Sequence, residues 1–174
     1  GQACLSTTVV IPSSIAGTTI MSLNTYSLSS KGFTSVVVPS TVTSVGDYAL
    51  FNNRITQATF QGDPATVGAN VLMNNPVQTL TYAGSTYTSA NSPIDESCFV
   101  FNSATGVISG FTRADPATVK ATGEACMGLS LVVPAEIGGA MVTEISGGFQ
   151  NIGLTSVEIP STITKVSSYA FTGN

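Results

Sequence analysis

The chain has 174 residues, 43% of them hydrophobic, which suffices for a core, and its net charge of −4 comes from five Lys and Arg against nine Asp and Glu. No basic cluster is present to neutralise phosphates and no run of 18 apolar residues to span a bilayer, so neither nucleic acid nor membrane insertion within this sequence is expected. Histidine is absent, which removes Ser/His/Asp and Cys/His nucleophiles, His-ligated metals and any histidine pH switch; no enzyme activity and no cofactor are expected.

In chain order, the first signal is GQAC at 1–4 with a V-x-P step ending at Pro12, and both return 122 residues later as GEAC at 123–126 and VVP ending at Pro134. FTSVVVP at 33–39 then matches LTSVEIP at 154–160, and PSTVTSVGDYAL at 39–50 shares seven of twelve positions with PSTITKVSSYAF at 160–171. A unit of about 122 residues is therefore repeated. Inside it runs a period of 22: FTSVVV starts at Phe33, ITQATF at Ile55 and VQTLTY at Val77, while LFNNRI at 50–55 recurs as LMNNPV at 72–77. A period of that length predicts a stacked solenoid of leucine-rich-repeat type.

One repeat can be read physically. Val36 and Val38 alternate with Ser35 and Val37 as in a half-buried strand, and Pro39 ends it for want of an N–H. A second extended piece turns Val42 and Val45 inward and Thr41, Thr43 and Ser44 outward; Gly46-Asp47 marks a turn, and Tyr48-Ala49-Leu50 reads as a helical turn. Asn52 and Asn53 are placed to satisfy buried backbone groups at the bend back to Ile55. Stacking buries Val36, Val38, Val42, Val45 and Leu50 against Ile55, Ala58, Phe60, Val67 and Leu72, so a repeat is stable only through its neighbours.

DPATV occurs at 63–67 and again at 115–119; Asp before Pro suits the start of a short helical turn rather than a ligand loop. Tyr82 and Tyr87, within LTYAGSTYTSANS at 80–92, fit either a ligand contact or a surface connection. Asp95 and Glu96 lack the context of a calcium loop and read as solvated. Cys98 and Cys126 flank the hairpin-like TGVISGF, and a disulfide between them is expected, with two buried free thiols as the alternative. Cys4 holds in its unit the place of Cys126; by the repeat its partner falls before Gly1, which predicts a thiol that is free or bridged between molecules.

LTSVEIPSTITKVSSYAFTGN at 154–174 closely resembles the BspA-type leucine-rich repeat, and FTSVVVPSTVTSVGDYALFNN at 33–53 is similar. CFVFNSATGVISGF at 98–111 resembles an entry module of bacterial members, as do Cys126, VVP and the GG-x-x-V-T-x-I step ending at Ile145. Two departures stand out: QGDPATVGANVL at 61–72 replaces the I-P-S step, and Ser167 stands where the family prefers Gly. The resemblance implies a β-rich, right-handed solenoid of parallel strands with short helical turns, part of a longer repeat protein with an uncapped edge after Asn174. It divides into a unit of about four 22–27-residue repeats at 1–97 and a second at 98–174, entered by the hairpin 98–111. It also implies a secreted or cell-surface protein, bacterial or from a protist with similar repeats, and brings no catalytic residues. The stacked strands offer a concave sheet whose outward positions are Ser35, Val37, Gln57, Thr59, Thr79, Thr81, Ser156 and Glu158.

Two functions remain open. The first is adhesion, in which this face binds a host or matrix protein, a glycan or a neighbouring cell surface. The second is a structural spacer or surface-layer element that projects another domain. An ice-binding T-x-T ladder is broken by the outward pairs Ser35/Val37, Gln57/Thr59 and Ser156/Glu158.

Overall fold

A computed structural model describes residues 7–90, 94–112, 114–123 and 125–174. The chain winds as a β-solenoid of about six turns with parallel strands and little helix. The first turn holds β1 (Thr8–Val10), a small hairpin of β2 (Ser14–Ile15) and β3 (Thr18–Thr19), and β4 (Ser22–Leu23). The second holds β5 (Ser35–Val38) and β6 (Ser44–Val45), the third β7 (Gln57–Phe60) and β8 (Thr66–Val67). The fourth begins with β9 (Thr79–Tyr82), but β10 (Ser85–Thr88) folds back on it antiparallel. One five-stranded sheet in the order β1-β5-β7-β9-β10 and one three-stranded sheet, β4-β6-β8, flank the first core.

A 3-10 turn at Glu96–Cys98 starts the second half, followed by the hairpin of β11 (Phe99–Asn102) and β12 (Val107–Phe111) and by α1 (Pro116–Thr122). Then come β13 (Ser130–Val132), the small hairpin of β14 (Glu136–Ile137) and β15 (Ala140–Met141), β16 (Glu144–Ile145), β17 (Ser156–Glu158) and β18 (Lys165–Val166). The sheets here run β11-β12-β16-β18 and β13-β17. The two halves have separate buried clusters, although Ala114, Val119, Ala125 and Met127, in and around α1, pack into the first.

The period of 22 is the register itself: Val36 pairs with Ala58 and Ala58 with Leu80, while Val38, Phe60 and Tyr82 follow in the next inward row. Val36, Val38, Val42, Val45, Leu50, Ile55, Ala58, Phe60 and Leu72 are all at most 2% exposed, and Val67 is half-buried against them. At roughly 1.5–3 kcal/mol for each large side chain, this burial is the main force holding one turn to the next.

The bends differ from the expected helical turns. Residues 47–50 form a hydrogen-bonded turn in which Tyr48 has φ 54°, and Phe51 N–H donates to the Tyr48 carbonyl at 3.1 Å. Sharper reversal costs backbone strain at Tyr48 but brings Ala49 to complete burial. A side chain at Gly46 would strike the backbone nitrogen of Thr25 at 2.5 Å, so close stacking of turns demands glycine there. Ser167 makes the same backbone bond to the turn below, donating to the Ile145 carbonyl at 2.8 Å as Gly46 does to that of Leu23.

DPATV takes two conformations. At 115–119 it opens α1, with Pro116 first and Asp115 as N-cap. At 63–67 it is extended, and Thr66 and Val67 pair with Ser44 and Val45. The expected helical turn is absent there because a neighbouring strand already supplies backbone partners.

Candidate functional site

Parallel register sets the outward side chains of the five-stranded sheet in two rows. Thr8, Ser35, Gln57, Thr79 and Thr88 form one; Val10, Val37, Thr59, Thr81 and Thr86 form the other. Alternation fixes this, since Val36, Ala58 and Leu80 between them are buried. Ser156 and Glu158 lie on the separate two-stranded sheet, paired with Ser130 and Val132. The eight expected face residues therefore fall into a main group of six and a lesser pair, because β10 closes the first sheet with an antiparallel strand. Hydroxyls in the rows bond to each other: Ser35 donates to Thr8 at 2.9 Å, and the Thr81 and Thr86 oxygens are 3.2 Å apart. Val10 remains 64% exposed at the end of its row.

Cys98 and Cys126 are joined by a disulfide with their Cα atoms 5.8 Å apart. Cys4 lies outside the described residues. Asp95 accepts from Ser97 N–H at 2.8 Å and from its hydroxyl at 2.6 Å, and Glu96 accepts from Gly138 N–H at 3.2 Å; these carboxylates hold the entry turn. Among the described residues no group of three or more His, Cys, Asp or Glu is placed to hold a metal. None of their helices is long and apolar enough to cross a membrane.

Tyr82 is buried and donates to Asp63 Oδ1 at 2.9 Å, while Lys120 reaches the same oxygen at 2.6 Å and so ties α1 to the first half. The Lys120 ammonium and the Tyr82 hydroxyl hold the Asp63 carboxyl below its usual range, and burial pushes the Tyr82 phenol up. Segment 79–88 is thus an antiparallel hairpin whose Tyr82 is structural. Asp115 sits buried at the same junction. Burial pushes its carboxyl up to about 6, against the pull of amides at Ala117, Asn70 and Val71 and of the Thr118 hydroxyl. Among the described residues its Oδ1 meets no hydrogen-bond partner.

The bends carry an asparagine ladder, of which Asn53 is the rung expected from the sequence. Asn53 Nδ2 donates to the carbonyls of Leu28, Leu50 and Phe51 while its Oδ1 accepts from the N–H groups of Lys31 and Phe33. Asn75 does the same for Leu50, Leu72, Met73 and Ile55, and Asn174 for Phe149, Phe171 and Leu154. Asn52 instead is exposed at φ 54° and donates to Ser30 Oγ. The repeated Asn-Asn pair at 52–53 and 74–75 was the available signal. Beside the ladder, Asn52, Arg54, Asn74, Pro76 and Asn151 line a polar cleft of about 250 Å³ shared by the two halves. Tyr26 and Tyr48 stack with centroids 5.0 Å apart, and Phe51 meets both edge-on.

No curated protein and no solved structure matches the chain. The family model of the BspA type leucine rich repeat region matches in six copies over residues 2–109 and 140–174. The unmatched stretch holds α1, β13 and β14; β13 still pairs in parallel with β17. Leucine-rich repeats are in general protein-interaction modules without catalysis. With well over half its length matched and its strands stacked at the matching period, the chain belongs to the BspA-type leucine-rich-repeat family.

Proposed function

We propose that this chain is a non-catalytic extracellular binding module that holds a protein or glycan at a cell surface through the outward face of its five-stranded sheet. The observation that carries the reading is the pair of in-register rows from Thr8 to Thr88 and from Val10 to Thr86, across five strands spaced about 4.8 Å apart. Hydroxyl and amide groups share this face with the exposed Val10 and the half-buried Val37 at one end of it, a mixture suited to an extended, partly polar partner. Secretion agrees with a disulfide between Cys98 and Cys126.

A spacer role is the second reading, favoured by hydroxyls that bond one another, as in Ser35 with Thr8 and Ser130 with Ser156. The test is a binding screen of the chain with Cys4→Ser against immobilised matrix proteins, glycans and whole cells. Saturable binding that is lost on replacing Gln57, Thr59 and Thr81 together supports the binding face. No binding by the folded chain, or binding untouched by those changes, overturns it.

A further inference from the structure

Among the described residues the two halves differ in what lies against the first short strand of the turn, and the difference leaves a groove. Leu23 of β4 and Ile145 of β16 stand 122 residues apart at matching places in the repeat. β16 lies between β12 and β18, with Glu144 and Ile145 paired to Val107 and Ile108 on one side and to Lys165 and Val166 on the other. β4 pairs only with β6 among the described residues. Its other edge borders a groove of about 320 Å³ lined by Val9, Ile11, Leu23 and Leu28.

The repeat shows what fits such a groove. Leu131, Val133, Ile145 and Phe149 take the places of Val9, Ile11, Leu23 and Leu28, and all four are at most 2% exposed. They are covered by the β11–β12 hairpin, whose Phe99, Ile108 and Phe111 are buried in the same cluster. Phe111 and Phe149 have ring centroids 5.2 Å apart, and Phe99 and Phe149 6.3 Å. The backbone is met as well: Thr143 and Glu144 N–H donate to the Gly106 carbonyl, and Ser146 N–H to that of Ile108 at 2.8 Å. In the first half Leu28 and Val9 are only partly buried.

The geometry points to this groove as the docking site of a β-hairpin of the F-x-F-N-x-x-T-G-x-I-S-G-F class, the pattern of residues 99–111. Its second strand adds in parallel to the free edge of β4, and its aromatic and branched side chains drop onto Leu23 and Leu28. Strand addition supplies affinity through the main chain, and alternate apolar side chains supply selectivity. Unlike the proposed binding face, this site selects a partner by strand pairing, and it stands whether or not that face binds anything.

The test raises the effective concentration of the hairpin by linkage. Residues 95–122 are placed again ahead of Gly1, so that Thr122 precedes Gly1 as it precedes Gly123; the copy of Cys98 is changed to Ser so that docking is read without a covalent tie. Amide hydrogen exchange at Ser22 and Asn24 is compared in the parent, in the fusion and in a fusion whose copied Phe99, Ile108 and Phe111 are Ser. Docking slows exchange at Asn24 at least tenfold in the first fusion and leaves the Ser control like the parent. Unchanged exchange in the first fusion, or equal slowing in both, overturns the proposal. Sedimentation of the parent covers the competing occupant: a dimer with Asn24 already protected means that a second copy fills the groove.

Discussion

Replacing Asn75 with Ala should cost about 4 kcal/mol. Asn75 is 2% exposed and makes four hydrogen bonds to backbone. Two of its partners keep other donors when it is removed: Leu50 O retains Asn53 Nδ2 at 2.8 Å, and Met73 O retains Asn52 N–H at 3.0 Å. Ile55 N–H and Leu72 O lose theirs inside a core where both residues are at most 1% exposed. Each buried backbone group left unpaired costs about 1–3 kcal/mol, so two give roughly 2–6. Asn174→Ala removes the equivalent side chain at an exposed bend where water can replace it, and should cost less than about 1 kcal/mol. The assay is urea denaturation of both variants, with hydrogen exchange at Ile55 as the local reading. Equal costs for Asn75→Ala and Asn174→Ala, or unchanged exchange at Ile55, would refute the claim that the ladder stabilises by satisfying buried backbone.

Asp115 supplies a pH test. Its folded pKa of about 6 lies above the ordinary 3.8, so the native state holds its proton more tightly than the unfolded state. Stability from this group is therefore complete below pH 4 and is lost as pH rises through 6, by about 3 kcal/mol at most. Asp115→Asn should raise the melting temperature at pH 7.5 and change little at pH 4; a larger gain at pH 4 would contradict the sign. Reducing the Cys98–Cys126 bond, which spans a sequence separation of 28, should cost about 3–4 kcal/mol by loop entropy, read as a lower urea midpoint. Val157→Asp should cost about 2 kcal/mol, because Val157 is half-buried beside the buried Leu131; Glu158→Ala, at an exposed position, should stay within about 0.5. A reversed order in thermal melts would mean that the strand register is shifted by one.

Parallel strands and the inward rows were legible because burial repeats every 22 residues and the side-chain period along a strand is two. Val36, Ala58 and Leu80 could thus be placed without coordinates. The two copies of DPATV could not be told apart: Thr66 and Val67 are strand where Ser44 and Val45 lie alongside, and Thr118 and Val119 are helix where no strand does. Local propensity is weak enough for neighbouring backbone to decide. The turn at Tyr48 departs from the expected helical turn for a related reason. Tyr-Ala-Leu suits a helix, but the approach of successive turns at Gly46 and Gly68 leaves no rise for one. On the binding face, alternation identified the outward residues, yet the split placing Ser156 and Glu158 on another sheet depends on β10 turning back, and nothing in STYT marks it as antiparallel.

That reversal at β10 has a consequence for how the strands pair on either side of it. Here β10 ends one sheet against its own neighbour, and a disulfide-tied hairpin begins the next. The parallel order therefore stops at β10 and starts again at β12, so the number of repeats on one side of this join sets no strand pairing on the other.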